Sequence, residues 1–97
     1  MIKQEDTNSK GAFYIEEANK RIAELTYSKA GSNKLILDHT GVDEEHRGTN
    51  LGYQLVEEAS KYARQHNLKI LPLCPFAKVI YARHDHLQDV LLNKKSL

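Results

Sequence analysis

The feature of this sequence that most restricts its fold is a change of apolar spacing across one short charged segment. Up to Val42 apolar and polar residues alternate, from Leu51 apolar residues recur every fourth position, and Asp43–Asn50 lies between the two regimes. Upstream, Phe13-Tyr14-Ile15 is aromatic and β-branched, and Glu16–Lys20 reads as a polar turn. Ile22–Tyr27 alternates so that Ala23, Leu25 and Tyr27 share one face. After the turn cluster Ala30–Asn33, a third strand over Leu35–Val42 sets Leu35, Leu37 and His39 on one face and Ile36, Asp38 and Thr40 on the other. Downstream, Leu51, Leu55, Ala59 and Ala63, widened by Val56 and Tyr62, form the stripe of an amphipathic helix with Asn67 as its stop. Lys69–Cys74 is a short apolar strand in which Pro72 marks an edge, a bulge or a splayed end. A second helix starts at Pro75 and runs to about Arg83, followed by a tail carrying Val90-Leu91-Leu92. The order β-β-β-α-β-α predicts an α/β fold: an antiparallel meander leading into a β-α-β-α unit, with helices packed on a mixed sheet.

A chain of 97 residues fits one domain, here expected over residues 12–97 behind a polar, flexible leader at residues 1–11. Cys74 is the only cysteine, which excludes an intramolecular disulfide and suits a reducing compartment. The polar start lacks the apolar run of a signal peptide and no later run reaches membrane-spanning length, so the expected location is cytoplasmic, with no membrane partner. Fourteen Lys and Arg against 13 Asp and Glu leave a formal net charge of +1, and the basic residues are interleaved with acids. That pattern argues against nucleic acid as a partner and makes any electropositive site local.

Such a local site is offered by the segment between the two regimes. A strand entering a glycine-containing loop that opens a helix presents unpaired amides at the positive end of the helix dipole, an arrangement that binds phosphate. Arg47 adds a cation, and Gly48 and Gly52 let a ligand approach the backbone. On local pattern alone the segment reads equally as an ordinary strand-to-helix turn.

Arg47-Gly48-Thr49-Asn50-Leu51-Gly52 resembles the cofactor signature of the GNAT acetyltransferases, Arg/Gln-x-x-Gly-x-Gly/Ala. Asn50 stands where the family usually has its first motif glycine, and Asn is the residue after Gly that best tolerates left-handed geometry. Asp38-His39-Thr40-Gly41-Val42 and Cys74-Pro75-Phe76-Ala77-Lys78 further resemble a GNAT-like subfamily of very small proteins, and the likeness spans about Tyr14 to Val90. The resemblance implies acetyl-CoA (coenzyme A) in a cleft between splayed strands, with Val42, Arg47, Gly48, Thr49, Asn50, Leu51, Gly52 and Cys74 as cofactor-binding residues. It also implies N-acetyl transfer to an amine acceptor, with an open acceptor site suited to a protein or peptide lysine; a monomer or weak dimer is expected.

Two residues are candidates for the chemistry. Cys74 ends a strand just before a helix start, where the dipole favours thiolate. It serves as a nucleophile, as a wall of the cofactor site, or as an inert core thiol. His39 has the near-neutral titration range of a base, and otherwise is a histidine bonded within the sheet. Thr40 is assigned to packing or a backbone contact. His84-Asp85-His86 with Asp89 falls short of a metal ligand set, so no metal is expected. An acyl-CoA-binding or interaction module without transferase activity is the alternative function.

Overall fold

The structure is a computed structural model that describes residues 1–93. Its sheet contains β1 (Ile2–Asp6), β2 (Lys10–Glu17), β3 (Lys20–Ala30), β4 (Lys34–Val42) and β5 (Lys69–Pro72), side by side in chain order. The first four are antiparallel and β5 joins β4 in parallel, so the sheet is mixed, as expected. Helix α1 (Leu51–Gln65) makes the β4-to-β5 connection, α2 (Pro75–Arg83) follows β5, and Asp85–Val90 forms a 3₁₀ segment. None of the described helices is long and apolar enough to cross a membrane.

Residues 1–11 are not a loose leader. Ile2–Asp6 pairs along its whole length with Gly11–Ile15, and a turn at Thr7–Lys10 joins the strands. Strand β1 has a single apolar residue, Ile2, so alternation does not reveal it. Cross-strand polar contacts hold it: Lys3 with Glu16 at 2.7 Å, Arg21 with Glu5, and the Gln4 amide with the Tyr27 hydroxyl at 2.8 Å. Between β2 and β3 the chain turns on Ala18 and Asn19, whose φ values of 53° and 65° suit a tight hairpin with right-handed twist.

Phe13, Ala23, Leu25, Tyr27, Leu35 and Leu37 face α1, whose buried stripe is Gly52, Leu55, Val56, Ala59, Ser60 and Ala63. Burying side chains such as Leu55 and Val56 contributes roughly 1.5–3 kcal/mol each, the usual return on apolar area removed from water. Asn67, at φ 56°, ends α1 in the left-handed geometry that its sequence position suggested. Helices α1 and α2 meet at a buried polar pair. Ser60 donates to the Val56 carbonyl at 2.9 Å, so the Tyr81 hydroxyl, 2.7 Å away, donates to Ser60. Burial pushes the Tyr81 hydroxyl up to about 12. In the tail, the Leu92 amide donates to the Ile70 carbonyl and Leu91 bridges Ile70, laying the chain along the outer side of β5.

Candidate active site

β4 and β5 part company halfway along. Their pairing stops at Leu37 and Pro72, and the amides of Leu73 and Cys74 both donate to the Leu37 carbonyl, at 3.0 and 3.2 Å. The rest of β4 runs on unpaired on that side and opens a cleft of about 740 Å³ whose walls include Thr40, Val42, Arg47, Gly52, Phe76 and Ile80. Of the edge, bulge or splayed end that Pro72 offered, the splayed end is the one observed, and the cleft opens beyond it.

A bulge decides which side chains of β4 face this cleft. Tyr27 pairs with Leu37 but Thr26 pairs with His39, leaving Asp38 without a partner. The extra residue reverses the alternation for the rest of the strand. Thr40 and Val42 lie opposite Leu25 and Ala23 on the helix-covered face, whereas His39 shares the other face with Thr26. The expected faces of β4 are thus overturned beyond Leu37: His39 does not join Leu35 and Leu37, and Thr40 does. His39 is exposed at the rim of the cleft, its ring lying along Gly41.

Cys74 caps the start of α2 and is only 5% exposed. Its Sγ lies 3.4 Å from Thr40 Oγ1, and Thr40, not Cys74, is the side chain that lines the cleft. Burial raises the thiol pKa, but the Thr40 hydroxyl and the amides of Ala77 and Phe76 in the first turn of α2 outweigh it and hold the thiol below its ordinary value. No bond joins Cys74 to His39 among the described contacts.

The loop after β4 is tied down at both ends. The Asp43 amide donates to the Ile22 carbonyl at 2.7 Å, and Lys20 reaches Asp43 at 3.2 Å. A 3₁₀ turn over Glu44–His46 follows, and the Thr49 hydroxyl donates to the His46 carbonyl. Gly48 stands at φ 81° and Asn50 at φ 72°, so Asn50 adopts the geometry usually left to glycine. The Asn50 side chain makes no cap bond, and the first helical bond runs from the Gln54 amide to the Asn50 carbonyl at 3.1 Å. The amides of Leu51, Gly52 and Tyr53 ahead of it form the open, positive end of α1 beside the cleft. Gly52 has a packing role too: a Cβ there would lie 2.4 Å from Phe76 Cζ, so the ring rests on the first turn of α1.

A family model described as GCN5-related N-acetyl-transferase matches residues 12–90. The chain belongs to this family. The solution structure of a GCN5-like protein from Staphylococcus aureus is similar at 38% identity, with TM-score 0.75 and coverage of 96% of this chain and 88% of that one. A ribosomal-protein-alanine N-acetyltransferase from Brucella melitensis shares the GNAT fold at 15% identity and TM-score 0.67, over 79% of this chain and 62% of its own. A Bacillus anthracis protein named for streptothricin acetylation, in complex with acetyl coenzyme A, is similar at 19% identity and TM-score 0.59, over 69% of this chain and 39% of its own. No curated protein matches the chain.

Against the GNAT expectation, the cleft brings together Val42, Arg47, Gly48, Asn50 and Gly52, with His39 at its rim. Thr49 turns its hydroxyl back onto the loop, Leu51 packs towards the core, and Cys74 lies behind Thr40. Thr40, Phe76 and Tyr53 line the cleft but were not among the expected site residues. The Tyr53 hydroxyl lies 3.0 Å from His86 Nε2 and 3.2 Å from Glu57, so His86 is engaged at the cleft mouth. Phe76 had a legible signal, standing two residues after Cys74 in a helix's first turn; Thr40 had none, because its direction depends on the bulge.

Proposed function

We propose that this GNAT protein transfers the acetyl group of acetyl-CoA to a primary amine, with a lysine of a protein or peptide as the acceptor class. The observation that carries the reading is the cleft itself. It starts at the open amides of α1 beside Arg47, a setting for a pyrophosphate, and runs along the unpaired edge of β4 to Thr40, behind which the Cys74 thiol lies. Arg47 and the α1 amides would hold acetyl-CoA in this cleft, where its thioester would supply the acetyl group. There the amine nitrogen attacks the carbonyl carbon, the C–S bond breaks, and the departing thiolate takes up a proton. In this reading His39, exposed at the rim, accepts the proton the amine loses. The residues on its face, Thr26, Ser28 and Ile36, are only half-buried, which leaves room for a protruding side chain.

A specific observation favours the second reading, an acyl-CoA-binding module without turnover: Cys74 is buried and His39 sits on the other face of β4, so base and thiol are not joined. One experiment separates them. Acetyl-CoA is expected to raise the melting temperature, since a ligand bound only by the folded state stabilises it, and Arg47→Ala to weaken that shift. Thiol release is then followed with a lysine peptide, a polyamine and an aminoglycoside. Peptide turnover supports the transferase; a shift without turnover selects the module; no shift in the wild type sinks both.

A further inference from the structure

The sequence assigns Thr40 to packing or a backbone contact, yet the bulge at Asp38 reverses the alternation of β4 and turns Thr40 towards the cleft. There its Oγ1 meets Cys74 Sγ at 3.4 Å, and the two side chains differ in reach: Thr40 lines the opening and Cys74 is 5% exposed behind it. The thiol therefore meets the cleft through a hydroxyl. We infer that Thr40 is the positioning residue that couples Cys74 to the cleft, holding the thiol and passing its proton between Sγ and whatever occupies the opening. The inference rests on the acetyl-transfer reading for its purpose but not for its test.

The chemistry follows from what a hydroxyl can do and a methyl cannot. Thr40 Oγ accepts a hydrogen bond from the thiol, and it donates one to the thiolate once the proton has left. The second bond is charge-assisted and the stronger of the two, so the hydroxyl favours ionisation. In the transfer reaction Thr40 would give its proton to the departing CoA thiolate and take the Cys74 proton in its place. The net result is CoA thiol and Cys74 thiolate, which regains a proton from solvent. No oxidant or further reactant is needed.

The test compares wild type, Thr40→Val and Thr40→Ser, each measured against the same protein with Cys74→Ala. Thiolate absorbance in the ultraviolet is titrated against pH, a readout that needs neither cofactor nor turnover. Thr40→Val keeps the shape, so fold is retained, and the Cys74 midpoint is expected to rise by about one pH unit, roughly tenfold less thiolate at neutral pH. Thr40→Ser restores most of it. An unchanged midpoint in Thr40→Val, or a Ser variant displaced as far as Val, overturns the inference. Acetyl-CoA thermal shifts on the same proteins are read separately. Loss of the shift in the wild type removes the acetyl-CoA reading and leaves the thiol titration to decide Thr40 alone.

Discussion

Placing the Phe76 ring on Gly52 makes a quantitative claim about two helices that meet at the cleft. Gly52→Ala would set a Cβ 2.4 Å from Phe76 Cζ and 2.7 Å from Cε2. Carbon atoms in contact rest at roughly 3.5–4.0 Å, so the ring has to retreat by more than about 1 Å. Overpacking of that kind costs about 1–3 kcal/mol. The ring is 40% exposed and hinges on two side-chain torsions, which places the cost towards the lower end. Against it stands the gain from replacing glycine inside a helix, up to about 1 kcal/mol. Gly52→Ala is therefore expected to be neutral to about 1 kcal/mol destabilising in the wild type. In a Phe76→Ala background the collision is gone while the helical gain remains, and the same substitution becomes stabilising. Urea unfolding of the four proteins gives a coupling of about 1–2 kcal/mol as the test quantity. If the two effects simply add within about 0.3 kcal/mol, the ring does not sit on Gly52 and the account of the cleft wall is wrong.

Gly48→Ala meets open space, so its cost comes only from holding φ at 81°. It should amount to about 1–2 kcal/mol in urea unfolding, and Gly48→Asn should cost less. The Arg64 guanidinium, paired at 2.7 Å, is the main reason that the Asp89 carboxyl sits below its ordinary value. A lowered carboxylate pKa adds stability above the ordinary aspartate range, and that stability is lost as pH falls through the folded value. Arg64→Ala should thus cost no more than about 1 kcal/mol at neutral pH, since the pair is exposed, and the gap to wild type should close in acid. For Tyr81, raised to about 12, the folded state keeps its proton longer, so stability falls as pH climbs past the ordinary tyrosine value. Tyr81→Phe should flatten that fall in a pH series of urea midpoints.

Sequence patterning located most elements because their burial is one-sided. The α1 stripe, the Pro75 start of α2 and the left-handed stop at Asn67 all follow from local rules that the packing does not override. Asn50 was legible for the same reason, since the demand for a positive φ is local. Strand β1 was not, because one isoleucine among polar residues carries no period and its pairing is a matter of backbone and distant side chains. The two faces of β4 were read correctly only as far as Leu37. A bulge such as the one at Asp38 leaves no mark on composition, and the same holds at Ile22, where the shift in β3 buries Ile22 beside Ala23. The site was consequently visible as a loop and a helix start, whereas the partner of Cys74 was hidden in register.

The tail that lies along β5 has a consequence for how copies of this protein can meet. With Leu91 and Leu92 engaged at Ile70, the outer side of β5 carries its own cover, whereas β1 and the stretch of β4 beyond Leu37 keep a side open among the described residues. The β4 stretch lies within the cleft, beside residues of α1 and α2, so the outer edge that stays open is β1. Association through the outer edge would join β1 to β1 about a two-fold axis, and the first such contact would use up that edge of both molecules. Growth by this route stops at a pair, which protects a small domain from fibres without a second layer of structure.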